Sequence, residues 1–249
     1  MPFYRCSQQP WNRLRYTLWR ASLRRHLPSG SLRILDVGGG TGSDAIPLAQ
    51  DSHRVTLVDF SAKMLEQAQL AAQHYGVSEQ LTFHQADLFA LPDLFPTPDF
   101  DVVVCHNVIH YVDDMPGALQ AICSPLKPGG IVSVISVNRA SDVLQAALLR
   151  HDLDEAYERI DARESYNAHF QTTLHRYSAE EIIEPLQNTE CTLLGHYGIQ
   201  CVTGYISDNT LKHDPEFYAK LERLELALTD KQPYVSIARL FQLVAEKQA

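Results

Sequence analysis

The stretch Arg33–Ala49, RILDVGGGTGSDAIPLA, decides the fold of this 249-residue chain. Four glycines occupy the five positions 38–42, directly behind the apolar run Ile34–Val37. A loop needs one or two glycines to turn, and glycine also lets a ligand lie against the main chain because it has no Cβ. The stretch therefore predicts a buried strand that ends in a ligand-binding loop.

Strands and helices alternate along the chain outward from this stretch. The pattern predicts strands at Arg33–Val37, Arg54–Asp59, Leu81–Asp87, around Val102–Val104 and at Ile131–Asn138. Helices are expected at 42–50 and 61–76, and a helix with a turn at 119–130. Ser61 is a suitable N-cap for the second helix, and Gly76 a suitable stop. This alternation is typical of a parallel sheet with helices on both faces.

The alternation ends at Arg139, and the outer segments follow other patterns. A helix at 12–27 precedes the sheet, and residues 139–176 are expected to be helical. Ser178 and Glu181 have the spacing of a capping box that opens a further helix. A sixth strand at 191–202, a helical stripe from Phe217 to Leu228 and a final strand within 233–245, expected to be antiparallel, complete the chain.

Composition limits the classes of partner. The net charge of −9 disfavours a nonspecific coat on nucleic acid. One basic stretch nevertheless predicts an N-terminal patch, formed by Arg13, Arg15, Arg20, Arg24, Arg25 and His26. The five cysteines (Cys6, Cys105, Cys123, Cys191 and Cys201) include no C-x-x-C pair, so reduced thiols are expected, with neither a zinc site nor a disulfide framework. The absence of a signal layout or long apolar run predicts a cytoplasmic protein without a membrane partner.

The ends of the strands carry the residues that predict a ligand. In open parallel sheets, ligands bind beyond the carboxyl ends of the strands, where the glycines and Asp59 would lie. A carboxylate at Asp59 can accept both hydroxyl hydrogens of a ribose, which indicates an adenosine-containing ligand. Asp36 favours S-adenosylmethionine over a dinucleotide, because a dinucleotide has no ammonium group for a carboxylate to meet.

The combined motifs LDVGGGTG, Asp59, QADLFALP, VVVCHNVIHYVDD and LKPGGIVSVIS resemble class I S-adenosylmethionine-dependent methyltransferases over roughly residues 30–138. The resemblance implies a Rossmann-like α/β fold with a seven-stranded, mostly parallel sheet and a small helical lobe inserted after strand five. By position it implies the cofactor contacts Asp36, Gly38, Gly39, Gly40, Asp59, Phe60, Ala86, Asp87, Leu88 and His106. The expected segments are an N-terminal helical arm (1–29), a cofactor-binding core (30–138), a helical insertion acting as a substrate lid (139–177) and a C-terminal completion (178–249).

The outer segments NRLRYTLWRASL and GYISDNT to SIARLF are similar to the tRNA 5-carboxymethoxyuridine methyltransferase family. This similarity implies that Arg15 reaches the carboxylate of the cofactor, since a guanidinium binds a carboxylate with two parallel hydrogen bonds. Asn138, at the end of strand five, and Tyr234 and Arg239, on the predicted last strand, are candidates for binding the acceptor.

The acceptor decides which chemistry the chain must supply. Methyl transfer is a direct displacement, so alignment of the reactants is the main requirement. A carboxylate acceptor is ionised at pH 7 and needs no base, whereas a hydroxyl or ammonium acceptor would need one, for which His106 and His110 are the nearest candidates. No catalytic residue is assigned and no metal is expected. The alternatives are a small-molecule methyltransferase acting on a metabolite carboxylate or hydroxyl, a non-catalytic S-adenosylmethionine-binding interaction protein and, more distantly, a dinucleotide oxidoreductase.

Overall fold

The computed structural model describes residues 9–167 and 171–248. The strands in these ranges are β1 (Arg33–Val37), β2 (Arg54–Asp59), β3 (Leu81–Gln85), β4 (Phe100–His106), β5 (Leu126–Val137), β6 (Glu164–Asn167), β7 (Thr172–His175), β8 (Cys191–Ile199) and β9 (Leu240–Lys247). The helices are α1 (Pro10–Arg24), α2 (Ala45–Gln50), α3 (Ala62–Tyr75), α4 (Leu91–Leu94), α5 (Met115–Cys123), α6 (Arg139–Gln145), α7 (Leu153–Arg159), α8 (Ala179–Gln187), α9 (Pro215–Leu228) and α10 (Tyr234–Ile237).

Seven strands form one sheet in the order β3-β2-β1-β4-β5-β9-β8. The pairs β1–β2, β2–β3, β1–β4 and β4–β5 are parallel. The inner strands are apolar on both faces, and Ile34, Leu35 and Val102–Val104 have no exposed surface. Burial on both faces explains why these strands are continuous apolar runs rather than alternating ones. The sheet confirms the predicted Rossmann-like α/β fold.

Strand β9 runs antiparallel to β5, as its hydrogen bonds at both ends show. Asn138 N, just past the end of β5, donates to Arg239 O, just before β9, at 3.1 Å. Lys247 Nζ, at the end of β9, donates to Cys123 O, just before β5, at 3.1 Å. The antiparallel direction agrees with the sequence prediction.

The described residues divide into two compact units. The first unit comprises 9–26, 136–182 and 195–242, and the second comprises 27–135, 183–194 and 243–248. In the first unit, Leu14, Leu18 and Trp19 of α1 are buried, and Gln242 Nε2 donates to Trp19 O at 3.3 Å. The second unit contains β1–β4, the glycine-rich loop and α3. There the Ser61 hydroxyl accepts from Met64 N and Gly76 ends α3 in the left-handed conformation, as predicted.

Three segments differ from the sequence prediction. Strand β5 begins at Leu126, so residues 126–130, which the sequence predicts as a turn, belong to the sheet. Residues 139–176 are not helical throughout, because β6 and β7 form an antiparallel hairpin after α7. The final strand begins at Leu240, so Tyr234 lies on α10 and Arg239 lies in the turn before β9. The turn is stabilised by the Asn138 side chain, whose Nδ2 donates to Ser236 O at 2.9 Å and to Ala238 O at 3.0 Å. Side-chain bonds to the main chain thus replace the ladder that a strand would have needed.

The described cysteines Cys105, Cys123, Cys191 and Cys201 are free and buried, as expected for reduced thiols. Cys6 lies outside the described residues.

Candidate functional site

The glycine-rich loop of the second unit is held close to the end of β2. Gly38 N donates to Val58 O at 2.8 Å, and Gly38 and Gly40 both have positive φ. At Gly39 the constraint is space: a Cβ there would lie 2.5 Å from Asp36 Oδ2 and 2.6 Å from Leu57 Cγ. The loop therefore requires glycine for conformation at two positions and for close approach at a third.

Asp59 lies at the end of β2, directly against this loop. One carboxylate oxygen accepts from Gly40 N at 2.9 Å and the other accepts from Ser61 N at 2.8 Å. Each oxygen has a second lone pair, so the carboxylate can still accept from a ligand. The next residue, Phe60, is 74% exposed, which leaves a large apolar ring available for stacking.

The residues after β3 are brought to the same edge of the sheet. Ala86 N donates to Asp59 O at 3.2 Å. Asp87 is exposed, and one of its oxygens accepts from Phe89 N at 2.9 Å, which caps the short turn Leu88–Ala90. The structure thus brings together the predicted loop, ribose and adenine residues, although their contacts with a cofactor stay predictions.

A buried carboxylate lies beneath the loop. Asp36 is 2% exposed, and its Oδ2 has no hydrogen-bond partner among the described residues. Burial, followed by the nearby carboxylates of Asp44 and Asp59, raises the pKa of Asp36 well above its ordinary value. A cation bound here would stabilise the ionised carboxylate, so this part of the site favours a positively charged ligand.

His106, at the end of β4, is buried and is bonded on both sides. Its Nδ1 lies 2.7 Å from Asp44 Oδ2, and its Nε2 lies 2.9 Å from Ser133 Oγ. The sequence prediction placed His106 at this position but did not identify these two partners. Asp44 has no role in the sequence prediction. The detectable signals were an acid directly after the glycines and a serine within the apolar strand Ile131–Val137.

The first unit contains a separate group of cations. Arg15 has a buried Nε without a hydrogen-bond partner among the described residues. Burial, and next the positive charge of Arg15, lowers the pKa of Arg239. Burial, and next the charge of Arg239, likewise lowers the pKa of Lys212. Asp142 and Asp208 raise the pKa values of Arg239 and Lys212, respectively, and so act in the opposite direction. Lys212 Nζ uses its three hydrogens in bonds within the fold. An anion bound beside Arg15 and Arg239 would be stabilised by their charges.

The other acceptor candidates have different surroundings. The Asn138 side chain is nearly buried, and besides its two donated bonds its Oδ1 accepts from Ala140 N at 3.2 Å. Tyr234 is 41% exposed on α10. Neither arrangement tests acceptor binding, which stays a prediction for both residues.

The predicted N-terminal patch is not shown as one surface. At about 100° per residue, Arg13, Arg20 and Arg24 share a stripe of α1, whereas Arg15 lies on the side of the buried Leu18. Arg25 pairs with Asp230 at 2.9 Å. Arg15 therefore lies on a different side of α1 from Arg13, Arg20 and Arg24.

The described residues contain neither a metal-binding group nor a membrane-spanning helix. No group of three or more His, Cys, Asp or Glu side chains there is arranged to hold a metal ion. No helix in the described part of the chain combines the length and the apolar character needed to cross a membrane.

Comparison with known proteins identifies the family. Residues 28–213 match the methyltransferase domain family. The chain is 28% identical over 218 residues to the tRNA 5-carboxymethoxyuridine methyltransferase of Escherichia coli K12, covering 87% of this chain and 80% of that protein.

Solved structures show the same fold. An S-adenosylmethionine-dependent methyltransferase from Mesorhizobium loti superposes with a TM-score of 0.60 at 19% identity, covering 91% of this chain and 96% of that one. A 1,6-didemethyltoxoflavin-N1-methyltransferase from Burkholderia thailandensis, solved with S-adenosylhomocysteine, has a TM-score of 0.57 at 16% identity, covering 96% and 79%.

The second unit fits a cofactor that joins a cation to an adenosine. The carboxylate of Asp36 lies beneath the loop, where its charge favours a cation bound above it, and the side of Gly40 is open, since a Cβ there would meet nothing within 4 Å. Asp59 and the exposed ring of Phe60 can receive a ribose and a base. The chain therefore belongs to the methyltransferase domain family and is a class I methyltransferase that uses S-adenosyl-L-methionine.

Proposed function

We propose that this enzyme methylates the carboxylate of a modified tRNA uridine of the 5-carboxymethoxyuridine type. The observation that carries this proposal is the similarity to the Escherichia coli enzyme of that name, which spans 87% of the chain. A tRNA acceptor also implies a cytoplasmic enzyme.

The proposal assigns the cofactor to residues of the second unit. Asp36 and the backbone of Gly38–Gly40 hold its methionine end, and Asp59 accepts from the ribose hydroxyls. Phe60 stacks on the adenine, which Ala86, Asp87 and Leu88 border. When bound, S-adenosylmethionine supplies a methyl group on a sulfonium that is already activated for displacement.

The state of the histidines supports an acceptor that is already ionised. Both ring nitrogens of His106 are in hydrogen bonds, and His110 is 3% exposed. Neither candidate base from the sequence therefore has a free, accessible nitrogen to remove an acceptor proton. A carboxylate needs no such step, so the residues of the chain have only to align the reactants and exclude water.

The cations of the first unit support a carboxylate acceptor. We assign recognition of the acceptor carboxylate to Arg239, together with Arg15. A guanidinium can form two parallel bonds to a carboxylate, and partial burial strengthens such bonds. The contact of Arg15 with the carboxylate of the cofactor, which the family resemblance implies, stays a prediction.

A second candidate is a small-molecule methyltransferase that acts on a metabolite carboxylate. Six acidic residues lie between 152 and 164, a density of negative charge that disfavours contact with a phosphate backbone. In this candidate the cofactor site and the carboxylate acceptor are the same, but the carboxylate belongs to a small metabolite and not to a tRNA.

One labelling experiment separates the two candidates. Purified enzyme is incubated with methyl-labelled cofactor and either bulk tRNA or a metabolite extract, and the labelled fraction is treated with mild alkali. We expect the label to appear in tRNA and to be released by alkali, because a methyl ester is hydrolysed whereas an N- or C-methyl group is not. Label confined to the metabolite extract would overturn the tRNA proposal, and alkali-stable label would overturn the carboxylate.

A further inference from the structure

Asp44, His106 and Ser133 form a continuous hydrogen-bonded series in the second unit. The His106 side chain is 3% exposed and that of Asp44 14%, and the two bonds measure 2.7 and 2.9 Å. A carboxylate only accepts, so Nδ1 of the imidazole carries the hydrogen that faces Asp44. In the neutral ring, Nε2 is then left to accept from the Ser133 hydroxyl.

The same order of residues activates a nucleophilic serine in serine hydrolases, but access excludes that role here. Ser133 lies on β5, pairs with Val104 of β4, and has no exposed surface. A substrate carbonyl cannot reach its Oγ. The series therefore serves to hold the imidazole in place.

The positions of the three residues indicate that the series holds the glycine-rich loop. Asp44 directly follows the glycine-rich loop, and His106 ends β4, which pairs with β1. The opposite side of the loop is tied to β2 by the bond from Gly40 N to Asp59 at 2.9 Å. The loop is thus anchored on both sides, to the neighbouring strand β2 through Asp59 and to β4 through His106.

We propose that Asp44 and Ser133 are positioning residues that fix the ring of His106, so that His106 anchors the cofactor loop rather than acting as a base on the acceptor. The side chain of Asp44 does not cap α2, and its Oδ2 lies 2.7 Å from Nδ1 of His106. This inference rests on the proposed function only in placing the cofactor at the loop.

The test compares variants that keep or remove each bond. Binding of S-adenosylhomocysteine is measured by calorimetry for the unmodified protein, Asp44→Ala, His106→Asn and His106→Gln. Asparagine offers a donor near the position of Nδ1, whereas glutamine reaches toward that of Nε2. We expect about tenfold weaker binding for Asp44→Ala and His106→Gln, since hydrogen bonds to charged groups are the stronger ones. His106→Asn should bind nearly as well as the unmodified protein.

Two further readouts distinguish positioning from general stabilisation. In a long-range 1H–15N spectrum, the hydrogen of His106 should lie on Nδ1 in the unmodified protein and lose that preference in Asp44→Ala. In Asp44→Ala, the KM for the cofactor should rise by a larger factor than kcat falls, because the lost bond anchors the cofactor loop and takes no part in methyl transfer. The control Asp114→Asn removes a carboxylate that caps α5 through Gly117 N, so cofactor binding should not change.

The outcomes separate this inference from the proposed function. Unchanged affinity and an unchanged ring hydrogen in Asp44→Ala would overturn the positioning role. Intact binding with lost turnover in both His106 variants would instead identify a general base. Absence of binding by the unmodified protein would overturn the cofactor assignment itself.

Discussion

At the scale of single residues, Asp36 combines a functional position with a cost in stability. Its Oδ2 is buried without a partner among the described residues, and two other carboxylates lie nearby. Because its pKa is raised in the folded protein, the folded state keeps a proton that the unfolded chain has lost. Stability of the cofactor-free protein should therefore fall as pH rises from the ordinary aspartate value to the raised one, and stay lower above it.

We expect Asp36→Asn to stabilise the cofactor-free protein at pH 7 by about 1 kcal/mol, because a neutral amide avoids burial of a charge beside the carboxylates of Asp44 and Asp59. The variant should also lose the pH dependence and bind S-adenosylhomocysteine more weakly. Urea unfolding over a pH series and calorimetry measure these effects. A variant that is less stable and binds normally would contradict the role of Asp36.

Asp101 is the matched control, because its carboxylate has the opposite environment. Burial acts against ionisation, but the hydrogen bond from Arg33 N and the ammonium of Lys127 lower the pKa of Asp101 below its ordinary value. Its contribution to stability is present at neutral pH and is lost as pH falls through the lowered value. Asp101→Asn should therefore destabilise the protein at pH 7 and leave cofactor binding unchanged.

At the scale of elements, one glutamate of α9 organises the turn after β8. Glu225 is fully buried and accepts from Cys201 N, Val202 N and Thr203 N at 2.8, 3.0 and 2.6 Å, and from Thr203 Oγ1. This turn leads to Tyr205, whose hydroxyl donates to Ile237 O of α10. Gly204 also packs on the Arg239 side chain, since a Cβ added at Gly204 would lie 3.0 Å from the Cβ of Arg239.

We expect Glu225→Gln to lower the free energy of unfolding by about 3 kcal/mol, because an amide group cannot accept from all four donors and each unsatisfied donor costs about 1–3 kcal/mol. Denaturant unfolding measures the change. Glu216→Gln on the same helix is the control, since Glu216 forms an exposed pair with Lys220 and should contribute about 0.5 kcal/mol or less. Equal losses in the two variants would contradict the buried network.

At the scale of the whole molecule, the net charge of −9 requires a tRNA to bind through local positive charge. Arg13 and Arg24 lie on one exposed stripe of α1. We expect tRNA affinity to fall linearly with salt on logarithmic axes, and the slope to decrease by about one for each of Arg13→Glu and Arg24→Glu. Filter binding at several salt concentrations measures the slopes.

Arg54→Glu is the control for the salt series, because Arg54 lies at the start of β2, away from the carboxyl ends of the strands. Its slope should equal that of the unmodified protein. A flat salt response in the unmodified protein would count against tRNA and favour the small-molecule acceptor.

Local sequence predicted most of the central sheet. The strands β1 and β2 agree with the predicted bounds, because short, mostly apolar segments between turn residues are a strong signal. The sequence also predicted the N-cap at Ser61 and the end of α3 at Gly76. The turn at 233–239 was not predicted, because its bonds join residues far apart in the chain, such as Asn138 with Ser236. The hairpin β6–β7 was not predicted, because its strands ESYN and TTLH are short and lack an alternating apolar pattern.

The sequence by itself determined the fold class, the cofactor loop and the acid at the end of β2, because glycine, chain direction and burial act within a few neighbouring residues. Only the tertiary structure decided that Asp44 and Ser133 share the imidazole of His106 and that Arg15 lies near Arg239. Such pairings depend on where separate strands and helices end in space, and no local pattern carries that information.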